Sequence, residues 1–288
     1  MVFAMADADA PIEFLPADLA SGDARSLELD RREFDIVPIR SGDDPLFDVA
    51  YERLWTEFGA QHEMESREVI ARRLDWQPAA LLGNCWLRYE MFLVRRQGDF
   101  VAVRDHTAIV KCRHGTPHAV VHLSHVLIDA AWRRTGLAGW LRALPLQTAR
   151  ACLSATGFPE ASPITLTAEM EHPDPQFPNR MIRLKSYEKA GFKKVDPAAV
   201  KYFQPDFRAP EEIDASGGPQ PLPFGLILRR VGREHEQVIG GAEVREIVEC
   251  LYRMYGTSFR EQDMAAVWRT LSQYPADETE VPLMPPTR

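Results

Sequence analysis

Lysine is scarce in this 288-residue chain, supplying only 6 of its 34 basic residues, a bias of the kind genome composition produces. Basic charge as a whole falls short of acidic charge, leaving a net charge of −8. That balance argues against a nucleic-acid binder, which needs a basic surface to neutralise phosphates. It suits a small or cationic partner better. Cysteine is sparse too. Cys85, Cys112, Cys152 and Cys250 lie far apart, with neither CxxC nor zinc-ligand spacing, and read as reduced thiols. Met1–Phe14 has no basic start and no continuous apolar run, which speaks against a secretory signal. No stretch approaches the ~18–20 apolar residues of a membrane span, and no internal repeat is visible. These absences leave a soluble cytoplasmic protein as the expectation. With 45% hydrophobic and 26% charged residues, a chain of this length can bury a substantial core.

Residues 1–33, rich in Ala, Asp and Arg with little periodicity, are expected to form a poorly ordered arm. Asp35–Arg40 reads as a strand. Phe47, Ala50, Tyr51, Leu54 and Phe58 then make the stripe of an amphipathic helix over 45–58. A weaker helix follows near Glu65–Asp75. Tyr89–Arg96 and Phe100–Arg104 read as strands turned at Gln97-Gly98-Asp99, with Ile109–Arg113 continuing the second. Ala119–Asp129 is the clearest strand of all. A helix over 137–155 contains Pro145, which should kink or shorten it. Pro163–Glu171 is a further strand. Asn179–Ala190 is a helix capped by Asn179 and stopped by Gly191, followed by strands 192–195 and 224–231 around a loop at 208–223. Two helices, 244–255 and 261–274, form a C-terminal extension that packs on the main domain or across a dimer interface. The Pro-rich residues 275–288 read as a disordered tail.

The chemistry concentrates in His125–Leu141, HVLIDAAWRRTGLAGWL. An apolar strand runs into Arg133-Arg134-Thr135-Gly136-Leu137-Ala138, and a helix opens at once. A helix start presents unpaired N–H groups and partial positive charge, the natural partner of a pyrophosphate. Gly136 and the small Ala138 let phosphate oxygens approach the main chain, and the two arginines add charge.

This segment resembles the acyl-CoA signature of the GNAT acyltransferase superfamily, R/Q-x-x-G-x-G/A after an apolar strand, matched here by Arg133, Gly136 and Ala138. Ser186-Tyr187-Glu188-Lys189-Ala190-Gly191-Phe192 resembles the later Tyr-x-x-x-Gly-Phe element of the same family. Tyr202-Phe203-Gln204-Pro205 is similar to a Tyr-x-Gln-Pro element of a bacterial subgroup. The resemblance spans about residues 34–231, leaving 232–274 as the helical extension. Two features depart from the pattern: Asn179 precedes Tyr187 by eight residues rather than seven, and Pro145 interrupts the cofactor-side helix.

What the resemblance implies is an α/β (α+β) fold with a central mixed, mostly antiparallel sheet flanked by helices. It implies transfer of an acetyl or other short acyl group from acyl-CoA to a primary amine, a small molecule or a protein amino group, with no metal. It puts Val126, Leu127, Ile128, Arg133, Arg134, Thr135, Gly136, Leu137 and Ala138 on the cofactor, and the Tyr187 hydroxyl near the sulfur as general acid. An amine with a pKa near 10.4 is almost wholly protonated at pH 7, so a base must take its proton. Glu169 and Glu171 are the candidates, with His122 and Ser124 as rivals. His114, His118, His122 and His125 invite a metal reading. Strand alternation sets His118 and His122 on one face and His125 on the other, which disfavours a compact site. A catalytically inactive acyl-CoA-binding sensor or scaffold is the alternative.

Overall fold

The computed structural model describes residues 15–59, 62–113 and 116–288. Its sheet begins with a local meander. Strand β1 (Asp35–Ile39) pairs antiparallel with β3 (Cys85–Arg96), β3 with β4 (Asp99–Arg113), and β4 with β5 (Thr116–Ile128). The short β2 (Ala80–Leu82) flanks β3. Gln97 and Gly98 both take positive φ, 54° and 89°, the two-residue turn whose twist matches a hairpin.

The second half joins by one parallel pairing, of β5 with β6 (Ile164–Met170). Antiparallel β9 (Leu222–Arg230), β7 (Lys193–Val195), β11 (Glu280–Met284) and β10 (Val238–Gly240) complete the order β1-β3-β4-β5-β6-β9-β7-β11-β10. β8 (Tyr202–Gln204) pairs with β9. The mixed, mostly antiparallel sheet flanked by helices is the architecture the sequence led us to expect.

Helices α1 (Pro45–Phe58), α2 (Arg67–Leu74) and α6 (Gly241–Tyr255) cover one face of the sheet. Helices α3 (Leu137–Ala155) and α4 (Pro178–Lys189) cover the other. The start of α1 is fixed by Asp44, whose side chain accepts from the Leu46 N–H at 2.9 Å, and by Pro45 in the first turn. Its predicted stripe is buried at Phe47, Ala50, Tyr51 and Leu54.

Several expectations give way. Pro145 neither kinks α3 to a stop nor shortens it: one 19-residue helix runs through, with the proline ring buried among Leu141, Leu144, Leu146 and Ala149. Packing on the sheet outweighs the one hydrogen bond that proline removes. Asn179 is not the cap of α4, which starts one residue earlier at Pro178 behind Phe177. The 208–223 loop contains a short helix, α5 (Pro210–Ala215). The Pro-rich end is not a disordered tail over its length, because β11 lies between β7 and β10. Nor is the arm loose over 15–33. Three 3-10 segments, Pro16–Asp18, Ser21–Glu28 and Arg31–Glu33, lie on the body, while residues 1–14 fall outside the described residues.

Helix α6 and α7 (Glu261–Thr270) pack on the main body, sharing one cluster with Leu87, Ile109, Val120 and Leu226 of the sheet. Ile247, fully buried in α6, lies in that cluster. Ile247→Val is expected to cost about 1 kcal/mol, read from the midpoint of urea unfolding at unchanged m-value. An extension merely resting on the surface would give no shift.

Candidate active site

The parallel pairing of β5 with β6 is short: Ala119–His122 face Ile164–Thr167, and no further pairs form. Beyond it β5 follows β4 to Ile128, and β6 follows β9 to Met170. The two strands therefore part, leaving the edge of β5 from Leu123 onward without a neighbouring strand among the described residues. At the point of parting β5 carries a bulge. Thr107 faces His122 and Asp105 faces His125, so the single residue His106 stands opposite both Leu123 and Ser124. Bulges re-aim side chains and are frequent beside active sites.

The bulge corrects the alternation read from sequence. His118 contacts Glu246 of α6, His122 contacts Tyr255 of α6, and His125 lies against Phe58 of α1, so all three face the same side. They still do not converge, each having its own partner, and His114 lies outside the described residues. Among the described residues no group of three or more His, Cys, Asp or Glu is placed to hold a metal.

On this face Glu169 is buried at the parting of the strands. Its carboxylate accepts from the hydroxyls of Tyr202 and Tyr255 (3.0 and 3.1 Å for the latter) and from Gln204 Nε2 at 3.0 Å. Burial still wins over these donors and pushes its pKa up to about 7. Tyr255 Oη is also 3.2 Å from His122 Nε2, and His122 Nδ1 is 3.1 Å from Ser124 Oγ. Burial first, then the charge of Arg73, holds the His122 pKa down to about 3, so the imidazole is neutral.

With Glu169 ionised and Tyr255 donating to it, the remaining protons are assigned by the network. His122 Nε2–H donates to Tyr255 Oη, and Nδ1 accepts from the Ser124 hydroxyl. The result is a continuous chain of donors from Ser124, half-buried at the bulge, to the enclosed carboxylate of Glu169. A second network pins the bulge. His125 N donates to Asp105 Oδ1 at 2.8 Å, its Nδ1 lies 3.1 Å from the same oxygen, and Tyr89 donates to Oδ2 at 2.9 Å. His125 Nε2 donates to the Glu63 carbonyl at 3.1 Å. Asp105 overcomes the burial of His125 and raises its pKa to about 9.

Glu171 does not join the cluster. It pairs with Arg183 at 2.6 Å and Arg180 at 3.5 Å. Sequence reading missed Tyr255, Tyr202 and Gln204 as members of the site. Tyr255 ends the helix predicted over 244–255, outside the family resemblance, and pairing across elements has no local signal.

Tyr187 sits on the opposite face, in α4, packed edge-on against Phe192 at 4.9 Å and hydrogen-bonded with Arg104 of β4. Arg104 is 1% exposed, and its Nε and Nη2 are buried without hydrogen-bond partners. Val126, Leu127 and Ile128 follow the bulge, paired with Arg104, Val103 and Ala102. Past β5, the Arg133 side chain folds back onto the Ile128 carbonyl at 3.1 Å, and Thr135 Oγ1 bonds the Trp132 carbonyl at 2.8 Å. Gly136 takes φ 108° immediately before Leu137 and Ala138 open α3, a conformation that favours glycine.

This turn is not open. Ser26 Oγ donates to the Gly136 carbonyl at 2.6 Å, and Arg25 donates to the Arg134 carbonyl at 2.7 Å. A Cβ at Gly136 would lie 2.7 Å from the Arg25 carbonyl oxygen. The arm thus lies against the Gly136–Gly139 part of the surface that sequence reading assigned to a pyrophosphate, while Arg133 and Arg134 stay exposed.

No family model matches the chain, and no curated protein matches it. Solved structures similar to it include an aminoglycoside acetyltransferase from an uncultured soil metagenomic sample, with 15% identity over 54% of this chain and 88% of that one, TM-score 0.33. Another is a tandem GNAT protein from the clavulanic acid biosynthesis pathway, with 18% identity over 60% and 46% of the two chains, TM-score 0.36. A GCN5-related N-acetyltransferase from Sphaerobacter thermophilus has 21% identity over 58% and 45%, TM-score 0.33.

Proposed function

We propose that this chain is an N-acyltransferase that moves an acetyl or other short acyl group from acyl-CoA to a primary amine, by direct attack on the thioester. The observation that carries the reading is the hydrogen-bonded chain from Ser124 to Glu169 at the parting of β5 and β6.

The residues present fit such a co-substrate. Gly136 takes a left-handed conformation immediately before a helix start, whose first N–H groups favour anions. Arg104 holds two orphaned buried donors beside Tyr187. Arg133, Arg134, Thr135, Gly136, Leu137 and Ala138 would take the diphosphate, and Val126, Leu127 and Ile128 the pantetheine and acyl carbonyl. The bound acyl-CoA supplies an activated thioester carbonyl.

A neutral amine docked at Ser124 attacks the thioester carbonyl, and the proton it must shed as the C–N bond forms passes to the Ser124 oxygen while the serine proton moves to His122 Nδ1. The His122 Nε2 proton passes to Tyr255, and the Tyr255 proton to Glu169. The acid formed has a pKa of about 7, matched to neutral solution. In this reading Tyr187, on the other face, returns a proton to the departing thiolate as the C–S bond breaks. Glu171, tied to two arginines, orders the end of β6 and serves no base role in this scheme.

Calorimetric titration with acetyl-CoA, beside Gly136→Trp and a screen of amines for thiol release, tests the reading. Micromolar binding lost in Gly136→Trp, with Tyr187→Phe lowering turnover about 10–100-fold, is the expected outcome. Folded protein that binds no acyl-CoA overturns it. The alternative is a cofactor-binding module without turnover. Tight binding without thiol release for any amine would select it.

A further inference from the structure

We propose that residues 15–28 are a built-in competitor for the acyl-CoA groove, displaced when the co-substrate binds. This rests on the acyl-CoA reading of the groove given above. The arm runs between the two helices that flank the groove. On the α3 side Trp140 Nε1 donates to the Ser26 carbonyl at 3.0 Å, Arg142 Nε to Asp23 at 3.1 Å, and Arg150 to Asp18 at 2.6 and 3.0 Å. On the α4 side Gly22 lies so close that a Cβ would be 2.0 Å from the Lys189 carbonyl oxygen.

The contacts are those of a ligand rather than of a core element. Of the four buried residues between Leu15 and Glu28, three are polar (Asp18, Asp23 and Ser26) and the fourth is Ala20. Leu15 and Leu27 face solvent at 47% and 63% exposure. The segment is 3-10 helix, which holds itself together poorly. Its apolar anchors are Leu19, packed on the Phe34–Trp140 cluster, and Ala20, so lifting it off exposes a limited apolar patch that the incoming ligand must cover.

Charge sets the direction of exchange. Asp23 places one carboxylate on Arg142, whose Nη1 also reaches Ser186 Oγ at 3.3 Å, one residue before Tyr187. Arg104, beside Tyr187 in the same groove, keeps two buried nitrogens unpaired. The arm carboxylate thus meets only one of these two guanidiniums, and a ligand carrying more negative charge would serve both. Docking of the arm and binding of acyl-CoA are then mutually exclusive, so each weakens the other by the same factor.

The test uses the whole chain with acetyl-CoA as probe. Gly22→Val drives a side chain into the Lys189 backbone and releases the arm without touching the groove's own residues. Ser26→Ala loosens it more gently by removing the bond to Gly136. Gly22→Val is expected to tighten acetyl-CoA binding about tenfold, and to speed tryptic cleavage after Arg25. In the parent protein, saturating acetyl-CoA should speed the same cleavage. Acetyl-CoA binding to the parent with that cleavage unchanged or slowed, or equal affinity in both variants, overturns the competitor while leaving the acyl-CoA reading intact. Absence of binding in parent and variants alike, with cleavage after Arg25 already fast in Gly22→Val, overturns both.

Discussion

Glu169→Gln is expected to lower kcat/KM about 10²–10³-fold without lowering stability at pH 8. The amide cannot accept the proton that the Ser124–His122–Tyr255 chain delivers. The pH profile separates this from a loss of shape. The parent needs both a neutral amine and an ionised Glu169, whose pKa is raised to about 7. A logarithmic plot of kcat/KM should therefore rise with a slope of about two below pH 7 and about one above it. The Gln variant should keep only the slope of one that belongs to the amine. Stability moves the other way. A carboxyl raised from 4.5 to about 7 on folding binds its proton more tightly in the native state. Its contribution is fully present below 4.5 and is lost as pH rises through 7, a cost on the order of 3 kcal/mol at alkaline pH. Gln, being neutral, escapes that cost. A variant within threefold of the parent, or one with an unaltered break in slope, sinks Glu169 as the base.

The second large effect lies under the bulge. Asp105→Asn is expected to destabilise the fold by about 3–5 kcal/mol near pH 6, measured by urea unfolding, because it strips a buried charge from its partner. In the parent, His125 is raised from 6.5 to about 9, so its share is complete below 6.5 and lost as pH climbs through 9. Asp105 is lowered from 3.8 to about 2, since His125, Tyr89 and Arg104 together overcome its burial. Its share is present above 3.8 and lost as pH falls through 2. Both shifts describe one coupled pair and count once, at about 3 kcal/mol. The pair's own share should be level between about pH 4 and 6.5, so that beyond the Glu169 loss, which is complete soon after pH 7, the parent goes on declining toward pH 9. The variant should lack that alkaline decline, and an unchanged decline would show that another group causes it.

Much of the fold was legible because its signals are local. The α1 stripe, the Gln97-Gly98 turn and the Gly136 turn into α3 each depend on residues within one or two turns of one another. Gly191 at the end of α4 is read the same way. What failed was set at a distance. Residues 15–33 have little periodicity because 3-10 segments docked by Asp18, Asp23 and Ser26 need none. Glu280–Met284 looks like a Pro-rich tail, and is a strand because β7 offers it an open edge. The site divides along the same line. Glu169, His122 and Ser124 could be proposed from one strand each, and Glu171, equally plausible by alternation, could be set aside only once Arg180 and Arg183 were seen on it. Tyr255 lies 86 residues from Glu169 in sequence, and nothing near it announces the contact.

The single parallel pairing of four residues on each strand also has a kinetic side. The meander from β1 to β5 joins neighbours through hairpins and can assemble early, whereas β6 must wait for the α3 crossover to bring it alongside. Glu169 arrives with the late half and Ser124 with the early one. The proton chain therefore spans the junction between two cooperative units, where hydrogen exchange is expected to find opening at lower free energy than in either unit. The contact between Ser124 and the Glu169 side of the site is expected to form late on folding and to open early on warming.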